Sequence, residues 1–296
     1  MARILATGIA TLDHTLDVTD YPAEDSEVRA LASRTQPGGN ATNTAALLAQ
    51  CGHRVELAAV IAEGATGDEL LACLQARGIG TGPCVRRPGA TPTSHILRSR
   101  ATGTRTIVHH RDLPELAAAD LASVAWAEYD WLHFEGRNPE ALGTILQRVR
   151  AEVVDQPVSL ELEKPRAGLE ACVEFADVLM LSCDWAASLA DSPEAALRRM
   201  AERLPDRVIT VTAGSAGAWI AHRGTLHHRP PTPGLHVVDS VGAGDSFNAG
   251  LIHALASGEP PEQALEAAVT LAERKLQQRG FEGLSMEVAT SLRSSR

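Results

Sequence analysis

The chain has 296 residues and a mass of 31.3 kDa, enough for one large α/β domain or two smaller ones. Lys and Arg number 27 against 37 Asp and Glu, and the resulting charge of −10 argues against nucleic acid as a partner. No apolar run reaches membrane length, and the five cysteines are an odd set without a C-x-x-C pair, so the sequence suggests neither a zinc ribbon nor a disulfide framework. We therefore expect a cytoplasmic protein that contacts no membrane.

Short apolar runs alternate along the chain with segments of helical periodicity, which predicts a mostly parallel sheet covered by helices. Strands are predicted near residues 3–9, 55–61, 130–134, 157–162, 177–181, 207–212 and 217–222. Helices are predicted over residues 40–51, 66–77, 138–151, 192–203, 243–256 and 261–278.

Two segments, residues 14–36 and 93–109, break this alternation. Their alternating polarity, with a Thr-Gly turn after Ala101, predicts an antiparallel flap added to the main sheet. No linker or internal repeat divides the chain, so residues 1–296 are expected to form a single domain with a small β-sheet lid.

A glycine-rich segment, DSVGAGDSFNAG at residues 239–250, follows the strand-like LHVVD and opens a predicted helix. Free backbone amides at a helix start can bind an anion directly, and phosphate is the natural ligand. Asp245 lies one residue beyond Gly244, a position suited to accepting the proton of an attacking alcohol. The segment lacks the Lys of a Walker P-loop, and for an isolated G-x-G a simple tight turn would be the better interpretation.

A polar cluster near the N-terminus contains hydrogen-bonding groups suited to a neutral polyol, whose hydroxyls both donate and accept. Asp13 is placed just past the first strand and Asp25 in the flap, while Gly39, Asn40 and Asn43 open the first helix. A single Asp or Asn in such a position is more often a helix cap or turn residue, but the presence of several together favours a binding site.

These motifs give the whole chain a resemblance to the ribokinase-like (phosphofructokinase-B-type) sugar kinases. The two general motifs are GGNATNTAALLAQCG and DSVGAGDSFNAGLI, although Ala62 stands where the pattern of the first motif has Gly. Within the family the chain is most similar to the ketohexokinase subgroup, through YPAEDSEVRAL, GTRTIVHHRDLP, WLHFEGRNPE, LELEKPR and RGFEG. The implied fold is a three-layer α/β/α sandwich with a mostly parallel central sheet and a small β-sheet lid.

The resemblance implies that ATP and Mg²⁺ serve phosphoryl transfer to a primary hydroxyl, expected to be C1 of a ketohexose such as fructose. Alternatives are a kinase for another sugar or a nucleoside, and a non-catalytic sugar-binding regulator. A homodimer formed through the lid is also expected, because flap strands leave edges that need covering.

The resemblance also implies a role for each site position. The sugar would be held by Asp13, Asp25, Gly39, Asn40, Asn43 and Arg111, with Asp245 as the base and Gly242, Ala243 and Gly244 as the anion hole. The nucleotide would contact Gly214, Ser215, Ala216 and Gly217, with Val269, Ala272 and Leu276 as an apolar wall.

On the residues alone, GSAG at 214–217 equally fits an ordinary hairpin turn, and the wall positions equally fit a buried helix stripe. Glu161 and Glu163 are two residues apart and so lie on the same face of the predicted strand, and one of them could help to organise Mg²⁺ through water. A surface salt-bridge network is the interpretation that their charge pattern favours.

Overall fold

The computed structural model describes residues 1–286. A nine-stranded sheet runs through the molecule in the order β15-β14-β13-β12-β11-β10-β1-β4-β6, parallel except where β14 pairs with β13 and β15. Its strands are β1 (Arg3–Thr7), β4 (Arg54–Ala58), β6 (Ile79–Gly80), β10 (Trp131–Glu135), β11 (Val158–Leu162), β12 (Val178–Leu181), β13 (Val208–Thr212), β14 (Ala218–His222) and β15 (Thr225–Arg229). The predicted mostly parallel sheet is confirmed.

Seven α-helices cover this sheet within the described residues: α1 (Asn40–Gln50), α2 (Ala65–Ala76), α3 (Pro139–Glu152), α4 (Cys183–Leu189), α5 (Pro193–Arg203), α6 (Ala243–Ala256) and α7 (Pro261–Leu276). One apolar core contains side chains of α3, α4 and α5, and a second contains those of α1, α2, α6 and α7. Alternate residues of β1 enter the two cores, Leu5 the first and Ile4 the second, as in a strand buried on both faces. This arrangement confirms the predicted three layers.

A second sheet, which we call the lid sheet, has the order β3-β2-β8-β9, with β2 (Thr11–Val18), β3 (Ala32–Gly38), β8 (Thr93–Ser99) and β9 (Arg105–His110). The flap segments are confirmed as strands, but the prediction of a wholly antiparallel flap is wrong, because β2 and β8 pair in parallel. β2 begins at Thr11, so Asp13 lies within the lid sheet and not just past the first strand.

Two other local predictions are wrong. The apolar run at 55–61 is divided between β4 and β5 (Val60–Ala62), and β5 pairs with β7 (Val85–Arg87) in a separate two-stranded sheet. The LHVVD segment at 235–239 is an irregular loop, in which the Val238 amide donates to the Leu276 carbonyl at 2.7 Å. Within residues 1–286 all five cysteines are free, and none of the helices there is long and apolar enough to cross a membrane.

Candidate active site

A cavity of about 500 Å³ opens at the carboxyl ends of the central parallel strands, between the lid sheet and the N-terminal ends of α1 and α6. Ligands of open α/β sheets bind at this end, because the strand-to-helix loops converge there. The structure brings together eight of the predicted site residues in its wall: Asp13, Gly39, Asn40, Asn43, Gly242, Ala243, Gly244 and Asp245. Residues from opposite ends of the sequence therefore meet in one site.

The turn before α6 depends on its glycines. Gly242 adopts a left-handed conformation, with φ of 77°, and a Cβ there would lie 2.2 Å from Cζ of Phe281. A Cβ on Gly244 would meet no atom of the described part of the chain within 4 Å, so this glycine faces open space on the cavity side. The Ala243 amide makes a long bond of 3.4 Å to the Ser240 carbonyl. The helix start can thus present backbone amides and the positive end of its dipole to an anion.

Asp245 lies in the first turn of α6 and is 6% exposed. The side-chain amide of Asn43 donates to its Oδ2 at 2.7 Å, which connects the start of α6 to α1. Burial raises the pKa of Asp245 to about 8, the Asn43 hydrogen bond opposes the rise, and the charges of Glu135 and Glu163 add to it. A carboxylate with this pKa is a stronger proton acceptor than an exposed aspartate.

Glu161 forms the floor of the cavity at the end of β11, and it is 6% exposed. Its Oε1 accepts from the Asn40 side-chain amide at 3.1 Å, while Oε2 is buried and has no hydrogen-bond partner among residues 1–286. Burial, together with the charge of Asp245, raises the pKa of Glu161 well above the ordinary value. The predicted surface salt-bridge network is therefore wrong for this residue, because it is a buried carboxylate facing the site.

Glu135, at the end of β10, positions the elements around the cavity. Its Oε2 accepts from the Ile9 amide at 3.0 Å and the Ala41 amide at 3.4 Å, and Arg137 Nη1 donates to Oε1 at 3.2 Å. A Cβ on Gly8 would lie 2.4 Å from Glu135 Oε2, so the close approach of these segments requires glycine there. The buried carboxylate thereby holds the start of α1 against the central sheet.

The lid sheet supplies the opposite wall of the cavity, through Asp13, Ser94, Ile107 and His109 among others. Asp13 Oδ1 accepts from the Thr11 hydroxyl at 2.8 Å, and its carboxyl packs over Gly38, where a Cβ would lie 2.0 Å from Oδ2. Arg105 of β9 hydrogen-bonds the Ser240 hydroxyl, so the lid sheet contacts the glycine turn directly.

The remaining predicted positions do not line this cavity: Asp25, Arg111, Gly214, Ser215, Ala216, Gly217, Val269, Ala272 and Leu276. Asp25 is exposed in the loop between β2 and β3, and Arg111 pairs with Glu115 at 2.7 Å. The GSAG segment turns between the antiparallel strands β13 and β14, with the Ala213 amide donating to Gly217 at 2.9 Å. Val269 is buried in the second core, which agrees with its alternative interpretation as part of the apolar stripe of a buried helix. Their ligand roles stay predictions.

Several cavity residues received no ligand role from the sequence, including Arg137, Arg166, Ser182, Thr210 and Thr212. Most of these residues lie at or just after the end of a central strand. Their position after an apolar run is therefore the sequence feature from which a place in the site could have been predicted. Arg166 is fixed by a 2.7 Å bond to the Gly136 carbonyl, and Lys164 is exposed at the same edge. These cations partly balance the carboxylates Asp13, Glu161, Glu163 and Asp245, which line the same cavity.

An α/β fold with a β-sheet lid, a glycine turn that can bind phosphate and a buried carboxylate beside that turn are consistent with phosphoryl transfer to an alcohol. The pfkB family carbohydrate kinase model matches residues 1–287, and the chain belongs to that family. It is therefore a carbohydrate kinase, with a sugar hydroxyl as the phosphoryl acceptor.

Individual relatives are consistent with this membership. The chain is 34% identical over 293 residues to a ketohexokinase from Mus musculus, covering 95% of this chain and 98% of that protein. It is 26% identical to an ATP-dependent ribose-1-phosphate kinase from Halopiger xanaduensis, with 90% of each chain covered. The structure of Arabidopsis thaliana ribokinase complexed with ribose and ATP superposes with a TM-score of 0.77 at 20% identity, covering 94% of each chain. The superposition on this ribokinase structure confirms the ribokinase-like fold.

Proposed function

We propose that this kinase uses ATP to phosphorylate the C1 hydroxyl of a ketohexose such as fructose. The observation that carries the proposal is the position of Asp245, a buried carboxylate one residue beyond Gly244 and bonded at 2.7 Å to Asn43. One cavity therefore has a proton acceptor beside a phosphate-binding turn, with a wall of polar groups opposite. The mouse ketohexokinase relative, similar over almost the whole chain, supports the choice of sugar.

In the proposed reaction the acceptor hydroxyl lies between Asp245 and the γ-phosphorus of ATP. Its oxygen forms the new P–O bond as the bond to the β-phosphate oxygen breaks, and the hydroxyl proton passes to the Asp245 carboxylate. The amides of Gly242, Ala243 and Gly244 would stabilise the negative charge on the transferring phosphoryl oxygens. ADP leaves with the β-phosphate oxygen, so the transfer is direct and needs no phosphoenzyme.

The residues present also fit a magnesium ion carried by the nucleotide. Among residues 1–286 no three His, Cys, Asp or Glu side chains are grouped to hold a metal, so the phosphates and water would be its main ligands. Glu161 Oε2, buried without a partner, would accept a hydrogen bond from a water bound to the ion. Magnesium neutralises charge on the β- and γ-phosphates during transfer.

The acceptor would bind between α1 and the lid sheet. Asp13 and Asn43 are the groups best placed to recognise its hydroxyls, with Gly39 and Asn40 beside them. Asp25 and Arg111 are proposed to act from outside the cavity wall, for example when the lid sheet moves over the bound sugar. Such closure would exclude water and limit wasteful hydrolysis of ATP.

We also propose that two copies associate through their lid sheets. All six residues of β9 are exposed; Ile107 faces the cavity, while Val108, on the opposite face of the sheet, exposes 62% of its surface. An exposed edge strand presents unpaired backbone groups with which a strand of another chain can pair. Light scattering should give the mass of a dimer, and a fully active monomer at micromolar concentration would contradict this part of the proposal.

A panel of acceptors tests the substrate directly. Purified enzyme with ATP and Mg²⁺ is assayed for ADP release with fructose, other ketohexoses, ribose, adenosine and sugar phosphates, and kcat/KM is compared. We expect a ketohexose to exceed the other classes by about tenfold or more. Phosphorus NMR of the product should place the new ester at C1.

A phosphorylated sugar is the second candidate acceptor, because Arg137, Lys164 and Arg166 place positive charge in the cavity wall. The ribose-1-phosphate kinase relative is consistent with such a substrate class. A sugar phosphate that gives the highest kcat/KM in the panel would replace the ketohexose proposal with this one.

A further inference from the structure

The chain passes between the lid sheet and the rest of the molecule at four points: before β2, after β3, before β8 and after β9. Three of these points lie together. Ile9, Pro92 and Arg111, each within two residues of the end of its lid strand, line one small void of about 10 Å³ together with Glu115. A movement of the lid sheet against the central sheet would therefore bend the chain at Ile9, Pro92 and Arg111, which we call the hinge residues.

Glu115 binds the hinge residue that follows β9. Its Oε1 accepts from Arg111 Nη1 at 2.7 Å and from Arg137 Nε at 2.9 Å. Arg111 is held at a second point as well, because its Nε donates to the Leu113 carbonyl at 3.0 Å. One carboxylate thus joins the end of the lid sheet to Arg137, which lies just after β10.

Arg137 continues this contact to the start of α1. Its Nη1 donates to Oε1 of Glu135, and Oε2 of Glu135 accepts from the Ile9 and Ala41 amides. Ile9 is the hinge residue before β2, and Ala41 lies two residues before Asn43 in the first turn of α1. One ion network therefore connects two hinge residues of the lid sheet to the helix turn that forms the opposite wall of the cavity.

The network contains two guanidinium groups and two carboxylates. Burial acts to raise the pKa of Glu115, but the hydrogen bonds from Arg111 and Arg137 outweigh this effect and leave the pKa below its ordinary value. Glu115 is therefore ionised at neutral pH. Within residues 1–286, Arg111 has no other carboxylate partner, and Arg137 has only Glu135, so losing the charge of Glu115 would release the hinge residue after β9.

Glu115 does not line the cavity, whereas Arg137 does. Any effect of Glu115 on the reaction is therefore transmitted through its two arginine partners. The hydrogen bonds of Glu115, Arg111 and Arg137 within the described residues also reach no residue of the glycine turn. The network thus contacts the walls of the proposed acceptor site and leaves the proposed phosphate-binding turn alone.

We propose that Glu115 is a positioning residue that sets the spacing between the lid sheet and the start of α1, and with it the affinity for the acceptor. Holding the two walls near the spacing of the bound state favours binding, because less conformational freedom is then lost when the acceptor binds. The inference rests on the proposed acceptor site between α1 and the lid sheet.

The first experiment compares Glu115→Gln with the unmodified enzyme. Glu128→Gln is the matched control, because Glu128 also pairs with an arginine, Arg3 at 2.6 Å, but at the opposite end of β1. We expect Glu115→Gln to raise KM for the acceptor by about tenfold, while kcat and KM for MgATP change by less than about twofold. A residue with only a structural role would lower the thermal stability without this division. An unchanged KM for the acceptor, or equal rises for acceptor and MgATP, would overturn the proposal.

A double-variant cycle separates positioning from direct contact of Arg111 with the sugar. Arg111→Gln should raise KM for the acceptor about as much as Glu115→Gln, and the double variant should be no worse, because both changes break the same contact. Fully additive effects would show that Arg111 acts independently of Glu115, and they would contradict the proposal. If Glu115→Gln does not fold, Glu115→Asp, which keeps the charge but is shorter, should raise KM by about threefold, and no change would overturn the proposal.

The acceptor in these assays is the compound with the highest kcat/KM in the panel. An acceptor other than a ketohexose would refute the proposed substrate and leave the test of Glu115 intact. Asp13→Ala separates the remaining outcomes. A raised KM in Asp13→Ala with a normal KM in Glu115→Gln overturns the role of Glu115 alone, whereas a normal KM in both variants refutes the acceptor site and this inference together.

Discussion

The two walls of the cavity are built differently. The wall formed by α1, α6 and the central strands consists of buried groups with fixed partners, such as Asp245 with Asn43 and Glu161 with Asn40. In the lid sheet, β9 is exposed along its whole length, and this strand meets the glycine turn through the contact of Arg105 with Ser240. We propose that the chemistry depends on this first wall, the rigid wall, and that Asp13 of the second wall, the lid wall, shares recognition of the acceptor with Asn43 of the rigid wall.

The largest effect is expected at the rigid wall, from Asp245→Asn. Size and polarity are kept, but the proton acceptor is lost, so kcat should fall by about 10²- to 10⁴-fold. The backbone amides of Gly242–Gly244 are unchanged, so the affinity for ATP should change little. Steady-state kinetics and nucleotide calorimetry check both expectations. If the variant keeps more than about a tenth of the normal kcat, Asp245 does not act as the base and has a structural role only.

Asp13→Ala tests the lid wall and should have a smaller effect of a different kind. Removing its proposed contact to a sugar hydroxyl should raise KM for the sugar by about tenfold, with less change in ATP turnover. Asp20→Ala, exposed just beyond the end of β2, is the control. An unchanged KM for every active sugar would show that the lid wall is not the acceptor site.

The glycine turn offers a contrast within the rigid wall. Gly242→Ala would strain a left-handed residue and collide with Phe281, and should lower the unfolding free energy by about 1–3 kcal/mol. In Gly244→Ala the added methyl group meets none of the described residues, so the variant should fold normally while the methyl group narrows the space for the phosphoryl group. Thermal unfolding and kcat should therefore separate the two variants. Equal losses of stability would contradict the described packing.

Arg105→Ala should have the smallest effect, because it removes one exposed contact between the lid sheet and Ser240. We expect about a two- to fivefold loss in kcat/KM, with unchanged thermal stability. Arg100→Ala, in the turn between β8 and β9, serves as the control. A loss as large as that of Asp245→Asn would instead place Arg105 in the chemistry.

The glycine turn and the helices could be predicted from sequence because their signals are local. Gly242, Gly244 and Asp245 lie within one short motif, and helix bounds such as those of α5 follow from the Ser192 cap and Pro193. The parallel pairing of β2 with β8 joins segments about eighty residues apart, and no local pattern encodes it. The break between β4 and β5 likewise depends on which sheet each strand joins.

In the candidate active site, too, contacts between distant residues could not be predicted from the sequence. Glu161 is buried and accepts a hydrogen bond from Asn40, over a hundred residues away in the sequence, whereas the local sequence predicts an exposed charge there. Likewise, the ion pair between Lys275 and Asp239 forms only because the end of α7 packs beside the start of the glycine turn. The sequence motifs could thus identify residues of the site. How deeply each side chain is buried, and which group it hydrogen-bonds, depend on tertiary contacts that the motifs do not contain.

The pH dependence of activity tests the central claim, that the Asp245 carboxylate accepts the proton. The raised pKa of about 8 means that the active, deprotonated form increases with pH, so kcat/KM should rise between about pH 7 and 9. The same shift predicts that the unfolding free energy falls as pH rises toward 8, because the folded chain holds a proton that the unfolded chain has released.

The direct measurement is the profile of kcat/KM against pH for the unmodified enzyme and for the residual activity of Asp245→Asn. We predict a rising limb near pH 8 in the unmodified enzyme and its loss in the variant. The same limb in both proteins would show that another group accepts the proton, and it would contradict this account.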